Sequence, residues 1–279
     1  MEYTMESLIK SFTEPERNDG EALRAEQFNA PYTAVERYAA GSRMTTVERG
    51  EPTGCHIFCL HGGAYVMEAM PMHGDIIRQL ADRGFRVTAL HYPLAPEHCG
   101  AQILDAAIQG YDALRAAYPE DEIAIFGDSA GGGLAVLLLM QLRERGDAVR
   151  PGKTVLASPW VDISLSNPAL EEQRKIDRTL PYEGCAFAAE KFAAGRDKKS
   201  PELSPLYGNL DDLGEILMFF SSQELLCPDC ERFVRKLESA EGSTIRWHKE
   251  NGLYHDYLMI VDQPASQQAF EDIKAFLTD

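Results

Sequence analysis

The chain reads as an α/β protein built on a mostly parallel sheet with helices on both faces. Two observations carry this. From residue 56 onward, short all-apolar stretches alternate with amphipathic ones, and Gly or Pro closes most of the amphipathic stretches. Short apolar strands alternating with helices mean strands buried on both faces, and right-handed crossovers then wind the sheet in both directions.

In chain order, Met5, Leu8, Ile9 and Phe12 have the spacing of one short amphipathic helix. Val35–Tyr38 and Met44–Val47, separated by Gly41-Ser42, read as a hairpin. The alternation then begins with the strand Ile57–Leu60 and a helix over Asp75–Arg83 stopped by Gly84. Phe85–Leu90 is the next strand, and Ile103–Tyr118 a helix ended by Pro119. Ile123–Phe126 precedes a helix over Leu134–Arg145 closed by Gly146, and Thr154–Ala157 is the following strand. Ile216–Phe220, a helix at Glu231–Leu237, the strand Thr244–Trp247 and a helix at Ala265–Leu277 complete the series. Between Ser158 and Leu213 no strand is expected, only a helix near Ala186–Ala194, and an insertion of that length between strands reads as a lid or specificity element. The whole, residues 1–279, is expected to be one domain.

Composition narrows the function. The 279 residues carry 27 Lys+Arg against 44 Asp+Glu, a formal net charge of −17. Phosphate backbones and anionic membrane surfaces both require clustered cations, so neither nucleic acid nor membrane is an expected partner. The first ten residues lack a basic start followed by an apolar run, and Leu134–Met140 is too short to span a bilayer. Six cysteines in so long a chain do not make a disulfide scaffold and read as reduced thiols. A cytoplasmic enzyme is the expectation. Cys227-Pro-Asp-Cys230 has redox or zinc spacing but no second ligand pair, and reads as packing; no metal or cofactor is expected.

In parallel sheets, reactive residues sit beyond the carboxyl ends of the strands. Gly127-Asp128-Ser129-Ala130-Gly131 occupies such a place, between strand and helix, and reads as a nucleophile elbow presenting the Ser129 hydroxyl. His61-Gly62-Gly63-Ala64 follows the strand Ile57–Leu60, where backbone N–H groups can face a reacting carbonyl; Ala130 would supply another. Of seven histidines, His255 lies in the loop after the last strand, where the order Ser, acid, His places the base; His248 is the alternative. Glu224, just past the strand Ile216–Phe220, is placed to hold the imidazole, with Asp229 and Asp162 as competitors. Met67, Met70 and Met72 follow the glycine loop, either lining an adaptable acyl or alcohol pocket or simply packing.

Together these motifs resemble the hormone-sensitive-lipase-like branch of the α/β-hydrolase esterases. The resemblance rests on His61-Gly-Gly-Ala-Tyr65, His91-Tyr-Pro-Leu-Ala-Pro-Glu-His98, Gly127-Asp-Ser-Ala-Gly-Gly132 and Ser158-Pro-Trp-Val-Asp162, with Ser204-Pro-Leu206 before the acid strand. It implies an α/β-hydrolase fold with an eight-stranded sheet and a small helical cap from about 1–30 and 162–203. It also implies hydrolysis of carboxylic esters without metal or cofactor, Ser129 being nucleophile and His255 base. Glu224 falls where the family usually has Asp. Gly63, Ala64 and Ala130 would be the oxyanion donors, with Gly62 shaping the loop, and Tyr65, Met67 and Trp160 would line the substrate pocket. The partners implied are a small ester and, at most, a second copy in a homodimer. Ala64, replacing a glycine, points to small substrates, short-chain acyl esters among them. Pro93 replaces the family's common Arg in the Tyr92–Glu97 motif, so an ion pair seen in relatives is expected to be missing. An amidase using the same three residues and a ligand-binding protein on a hydrolase scaffold are the rival readings.

Overall fold

The computed structural model describes residues 4–147 and 149–279. Eight strands form one sheet in the order β1-β2-β4-β3-β5-β6-β7-β8. They are β1 (Thr33–Ala39), β2 (Ser42–Glu48), β3 (Cys55–Leu60), β4 (Arg86–His91), β5 (Glu122–Asp128), β6 (Lys153–Ala157), β7 (Gly214–Ser221) and β8 (Ser243–Glu250). Only β2 runs against its neighbours β1 and β4; every other pairing is parallel. The β1–β2 hairpin turns through Ala40 (φ 47°) and Gly41 (φ 87°), the two left-handed residues that match a tight turn to the strand twist.

The helices are α1 (Met5–Thr13), α2 (Pro71–Asp82), α3 (Gly100–Ala117), α4 (Ser129–Glu144), the single turn α5 (Leu170–Gln173), α6 (Tyr182–Ala193), α7 (Cys227–Leu237) and α8 (Pro264–Thr278). Alternate strand residues feed opposite cores. Ile57 and Cys59 pack with Ile76, Phe270 and Ile273 of α2 and α8, while Phe58 and Leu60 pack with residues of α3, α4, α6 and α7. This two-sided burial is why β3 is apolar on both faces from Ile57 to Leu60. Helix α1 lies on α6, its Phe12 against Gly184. Among the described residues no helix is long and apolar enough to cross a membrane.

Parallel register aligns the strand ends. Leu60 pairs with Gly127, and Asp128 with Ala157. The loop after β3 therefore meets the turn after β5 at one edge, and the loops after β7 and β8 end at the same edge.

The candidate active site at the carboxyl edge of the sheet

Ser129 is the first residue of α4 and has a left-handed backbone (φ 50°). For a residue with a Cβ this conformation is strained, and the surrounding close packing holds it in place. At Gly131 a Cβ would stand 2.0 Å from the carbonyl oxygen of Leu60, so only glycine lets the helix start press against β3. The Ser129 carbonyl accepts the N–H of Trp160 at 2.8 Å, fixing the turn from the β6 side.

The loop after β3 brings backbone donors to the same point. Gly63, Ala64 and Tyr65 all have positive φ, 109°, 53° and 64°, and the Gly63 carbonyl closes the turn by accepting from Val66 and Met67. The N–H groups of Gly63 and Ala64 have no protein acceptor among the described residues. Ala130 N–H belongs to the first turn of α4, whose donors lack intrahelical partners. Gly62, unlike Gly63 and Ala64, is engaged within the protein. Its N–H donates to Asp128 Oδ2 at 2.8 Å, so it braces the loop and is not free for a ligand. A Cβ on Gly62 would lie 2.2 Å from that carboxylate oxygen. His61, beneath the loop, stacks on Tyr92 with ring centroids 4.3 Å apart, and Tyr92 donates its hydroxyl to the His61 carbonyl at 2.5 Å.

His255 sits on the loop after β8. Its Nδ1 lies 3.1 Å from Glu224 Oε2 and its Nε2 2.9 Å from Ser129 Oγ. A carboxylate only accepts, so Nδ1 carries the proton and Nε2 is left to accept from the serine hydroxyl. Burial disfavours the imidazolium, but the charges of Asp256 and Glu224, with Asp177 further off, outweigh it and raise His255 above its ordinary value. Glu224 is fully buried, and its second oxygen accepts the Ser221 N–H at 3.3 Å.

The other acid candidates are engaged elsewhere. Asp229 bonds Asn167 and Arg232, both at 2.8 Å. Asp162 accepts from Tyr207 at 2.7 Å and from Ser164. His248 lies on the outer strand β8, its ring half-exposed and 4.0 Å from Asp272. Cys227 and Cys230 are buried in the first turn of α7, where burial pushes the Cys227 thiol up to about 11. Among the described residues no three of His, Cys, Asp and Glu converge as metal ligands would.

Two expected pocket residues are core residues instead. Tyr65 is fully buried, its ring 3.8 Å from Phe192 and 6.0 Å from Trp160. Trp160 is 2% exposed and donates to the Asp162 carbonyl. Their aromatic area holds α6 onto the elbow. Met67 and Met70 remain half-buried and Met72 exposed, on the surface next to the glycine loop. Glu97 does have a cationic partner. Arg17, ahead of β1, reaches it at 2.8 Å and also bonds the carbonyls of Val66 and Ala95. A distant residue thus supplies the charge that Pro93 lacks.

Spacing alone does not reveal Asp256, Asp177 or His73. Asp177, inside the long insertion, accepts the Leu225 N–H at 2.6 Å, next to Glu224. His73 of α2 donates to Asp128 at 3.2 Å.

A family model described as alpha/beta hydrolase fold matches residues 57–259. The chain is 32% identical to an esterase of Acinetobacter venetianus over 227 residues, which are 80% of this chain and 74% of that protein. It is 31% identical to an acetyl-hydrolase of Streptomyces hygroscopicus over 232 residues, 80% of this chain and 75% of that one. A crystal structure titled as a hormone-sensitive lipase from a metagenome library superposes with a TM-score of 0.84 at 25% identity, covering 98% of this chain and 95% of the other. A putative esterase from Staphylococcus aureus shares the fold with a TM-score of 0.88 at 20% identity, covering 100% and 95%.

Proposed function

We propose, for a chain that belongs to the α/β-hydrolase family, that Ser129, His255 and Glu224 act as a catalytic triad hydrolysing small carboxylic esters of short-chain acids. The observation that carries this is the continuous chain from Ser129 Oγ to His255 Nε2 (2.9 Å) and from His255 Nδ1 to Glu224 Oε2 (3.1 Å). It stands beside the unengaged N–H groups of Gly63 and Ala64. That the chain is a carboxylic ester hydrolase agrees with its esterase and acetyl-hydrolase relatives.

Ser129 attacks the ester carbonyl as His255 takes its proton, and Glu224 stabilises the imidazolium so formed. The oxyanion is held by the N–H groups of Gly63, Ala64 and Ala130, each donor supplying on the order of 3 kcal/mol to the transition state. His255 then protonates the departing alcohol, and water repeats the sequence on the acyl-enzyme. Two features support a short acyl chain: Ala64 puts a methyl on the loop where the resembled family has glycine, and one relative is named an acetyl-hydrolase. Helix α1 and the insertion 162–203 form the cap over this edge.

The test is hydrolysis of nitrophenyl acetate, butyrate and octanoate, and of a matched acetyl nitroanilide, by the native chain and Ser129→Ala. Activity should fall with chain length, be weak on the anilide, and drop on the order of a millionfold in the variant. Octanoate as the best ester would overturn the short-chain reading. Anilide turnover matching the ester would make the chain an amidase, and full activity in Ser129→Ala would remove the triad.

A further inference from the structure

Asp256 follows the base directly and plays no part in the proton relay, yet it is buried and ionisable. Its Oδ1 has no hydrogen-bond donor among the described residues. The same is true of Oδ1 of Asp128, the residue before the nucleophile. The Asp256 N–H is held by the Ser158 hydroxyl at 3.1 Å, and Ser158 follows Ala157, the register partner of Asp128, so the loop of Asp256 is fastened beside the end of β5 that carries Asp128.

Their surroundings are unequal. Asp128 Oδ2 accepts the Gly62 N–H at 2.8 Å and meets His73 Nε2 at 3.2 Å. The His73 tautomer follows from its other nitrogen. Nδ1 lies 2.8 Å from the Met70 N–H, which can only donate, and farther, at 3.2 Å, from the Met70 carbonyl, so the proton sits on Nε2 and points at the Asp128 carboxylate. Asp128 therefore has two donors to support its charge. Asp256 has no such donor among the described residues: its Oδ2 lies 3.6 Å from His255 Nε2, too far for a hydrogen bond. The Ser158 hydroxyl is bonded to the Asp256 backbone N–H and does not serve the carboxyl. The titratable groups around Asp256 are Asp128 at the end of β5, Glu224 after β7 and His255 on its own loop, with His73 of α2 reaching it through Asp128. Two of these are anions.

Two carboxyl groups in contact in a buried site cannot both ionise, and the one with fewer donors keeps the proton. We propose that Asp256 is a neutral carboxylic acid whose O–H donates to Asp128, and that the pair is a positioning clamp. It ties the loop of the base to the nucleophile elbow and, through Gly62, to the oxyanion loop. This rests on the reading of Ser129 and His255 as nucleophile and base. Burial, opposed by His255 and reinforced by the charges of Asp128 and Glu224, likewise pushes Asp256 well above the carboxylate range. A neutral Asp256 also removes the largest of the charges that raise His255, leaving Glu224 as the carboxylate that steadies the imidazolium.

The test pairs denaturant unfolding from pH 5 to 9 with kcat and KM for nitrophenyl acetate, in the native chain, Asp256→Asn and Asp256→Ala. The native fold holds a proton on Asp256 that the unfolded chain releases above about pH 4, so its folding constant should fall relative to Asp256→Asn by up to tenfold per pH unit. Asp256→Asn, whose amide N–H can donate to Asp128, should keep kcat within about threefold. Asp256→Ala should lose on the order of tenfold or more in kcat with KM little changed. A stability difference that does not vary with pH overturns the proposal. So does an Asn variant as impaired as the Ala variant, with the acid limb of its kcat/KM profile moved to lower pH, because Asp256 would then be an anion serving the imidazolium. The unfolding arm needs no activity, so it still decides on the acid pair if the esterase reading fails, and the Asn variant does so if the Ala variant does not fold.

Discussion

Glu224 carries one methylene more than the aspartate usual at its position, and the fold uses the added length. One oxygen reaches His255 Nδ1 at 3.1 Å while the other is held by the Ser221 N–H at 3.3 Å. On the proposed triad, Glu224→Gln keeps the shape but loses the charge that would stabilise the imidazolium and fix its tautomer. It should lower kcat by on the order of 10³- to 10⁴-fold with KM changed only severalfold. Glu224→Asp withdraws the carboxylate from the ring and should fall between the two. Steady-state kinetics on nitrophenyl acetate checks both, and a Gln variant within tenfold of the native chain would put the acid elsewhere. At this scale Ser129 and His255 were legible because each sits on a loop whose neighbours announce it. Asp256 and His73 were not, since their contacts to Asp128 cross 128 and 55 positions of sequence. Tyr65, expected in the pocket, lies in the core because its motif reaches the site while its side chain turns back onto Phe192.

The elements show a consistent offset. Helices α2, α3, α4 and α7 start at Pro71, Gly100, Ser129 and Cys227, three to five residues before their apolar periodicity becomes readable. Their first turns hold Pro, Gly and Cys, which carry no amphipathic signal. In α4 the run Gly131-Gly132-Gly133 costs about 1 kcal/mol per residue in helix propensity, offset by contacts that no other residue could make. The insertion between β6 and β7 was legible as a functional segment, but its attachment was not. Three of its side chains grip the turn that carries Glu224: Asn167 bonds Asp229, Gln173 bonds the Ser222 carbonyl and Asp177 bonds the Leu225 N–H. Asp177 also accepts from Thr179 and Leu180 of its own segment. Asp177→Ala strands these donors and frees the acid turn. It should cost about 2–4 kcal/mol of stability and lower kcat on the order of tenfold, with KM nearly unchanged. Urea unfolding and kinetics together check this, since a purely local role for Asp177 would move stability and leave kcat alone.

Across the whole molecule the strand order and its two-sided burial were the most legible features, because apolar strands between amphipathic helices admit few other architectures. How the fold responds to pH was not legible, since it depends on which ionisable groups tertiary packing removes from water. His56 on β3 is fully buried between Asp121 and Thr88, its Nε2 2.7 Å from Thr88 Oγ1. Burial, against the pull of Asp121, lowers it from 6.5 to about 4. His61, under the glycine loop, is pushed by burial and then by His73 to about 3. A histidine kept neutral in the fold contributes stability that is present above its unfolded value. That contribution is lost as acid brings the pH down through the folded one, because the unfolded chain then binds the extra proton. Between pH 6.5 and 4, His56 alone should cost the native state about 3 kcal/mol. Asp256 has the opposite sign: its retained proton weakens the fold as pH rises above about 4, so between pH 4 and 6.5 it offsets the gain from His56, and above 6.5 it acts alone. Urea unfolding of the native chain and His56→Gln at pH 6.5 and 4.5 separates them. The variant lacks the group that charges on unfolding, so its stability should fall less on acidification and its deficit against the native chain should shrink. Equal losses in both would mean that His56 already carries its proton in the folded state and that the acid sensitivity comes from the glycine loop at His61.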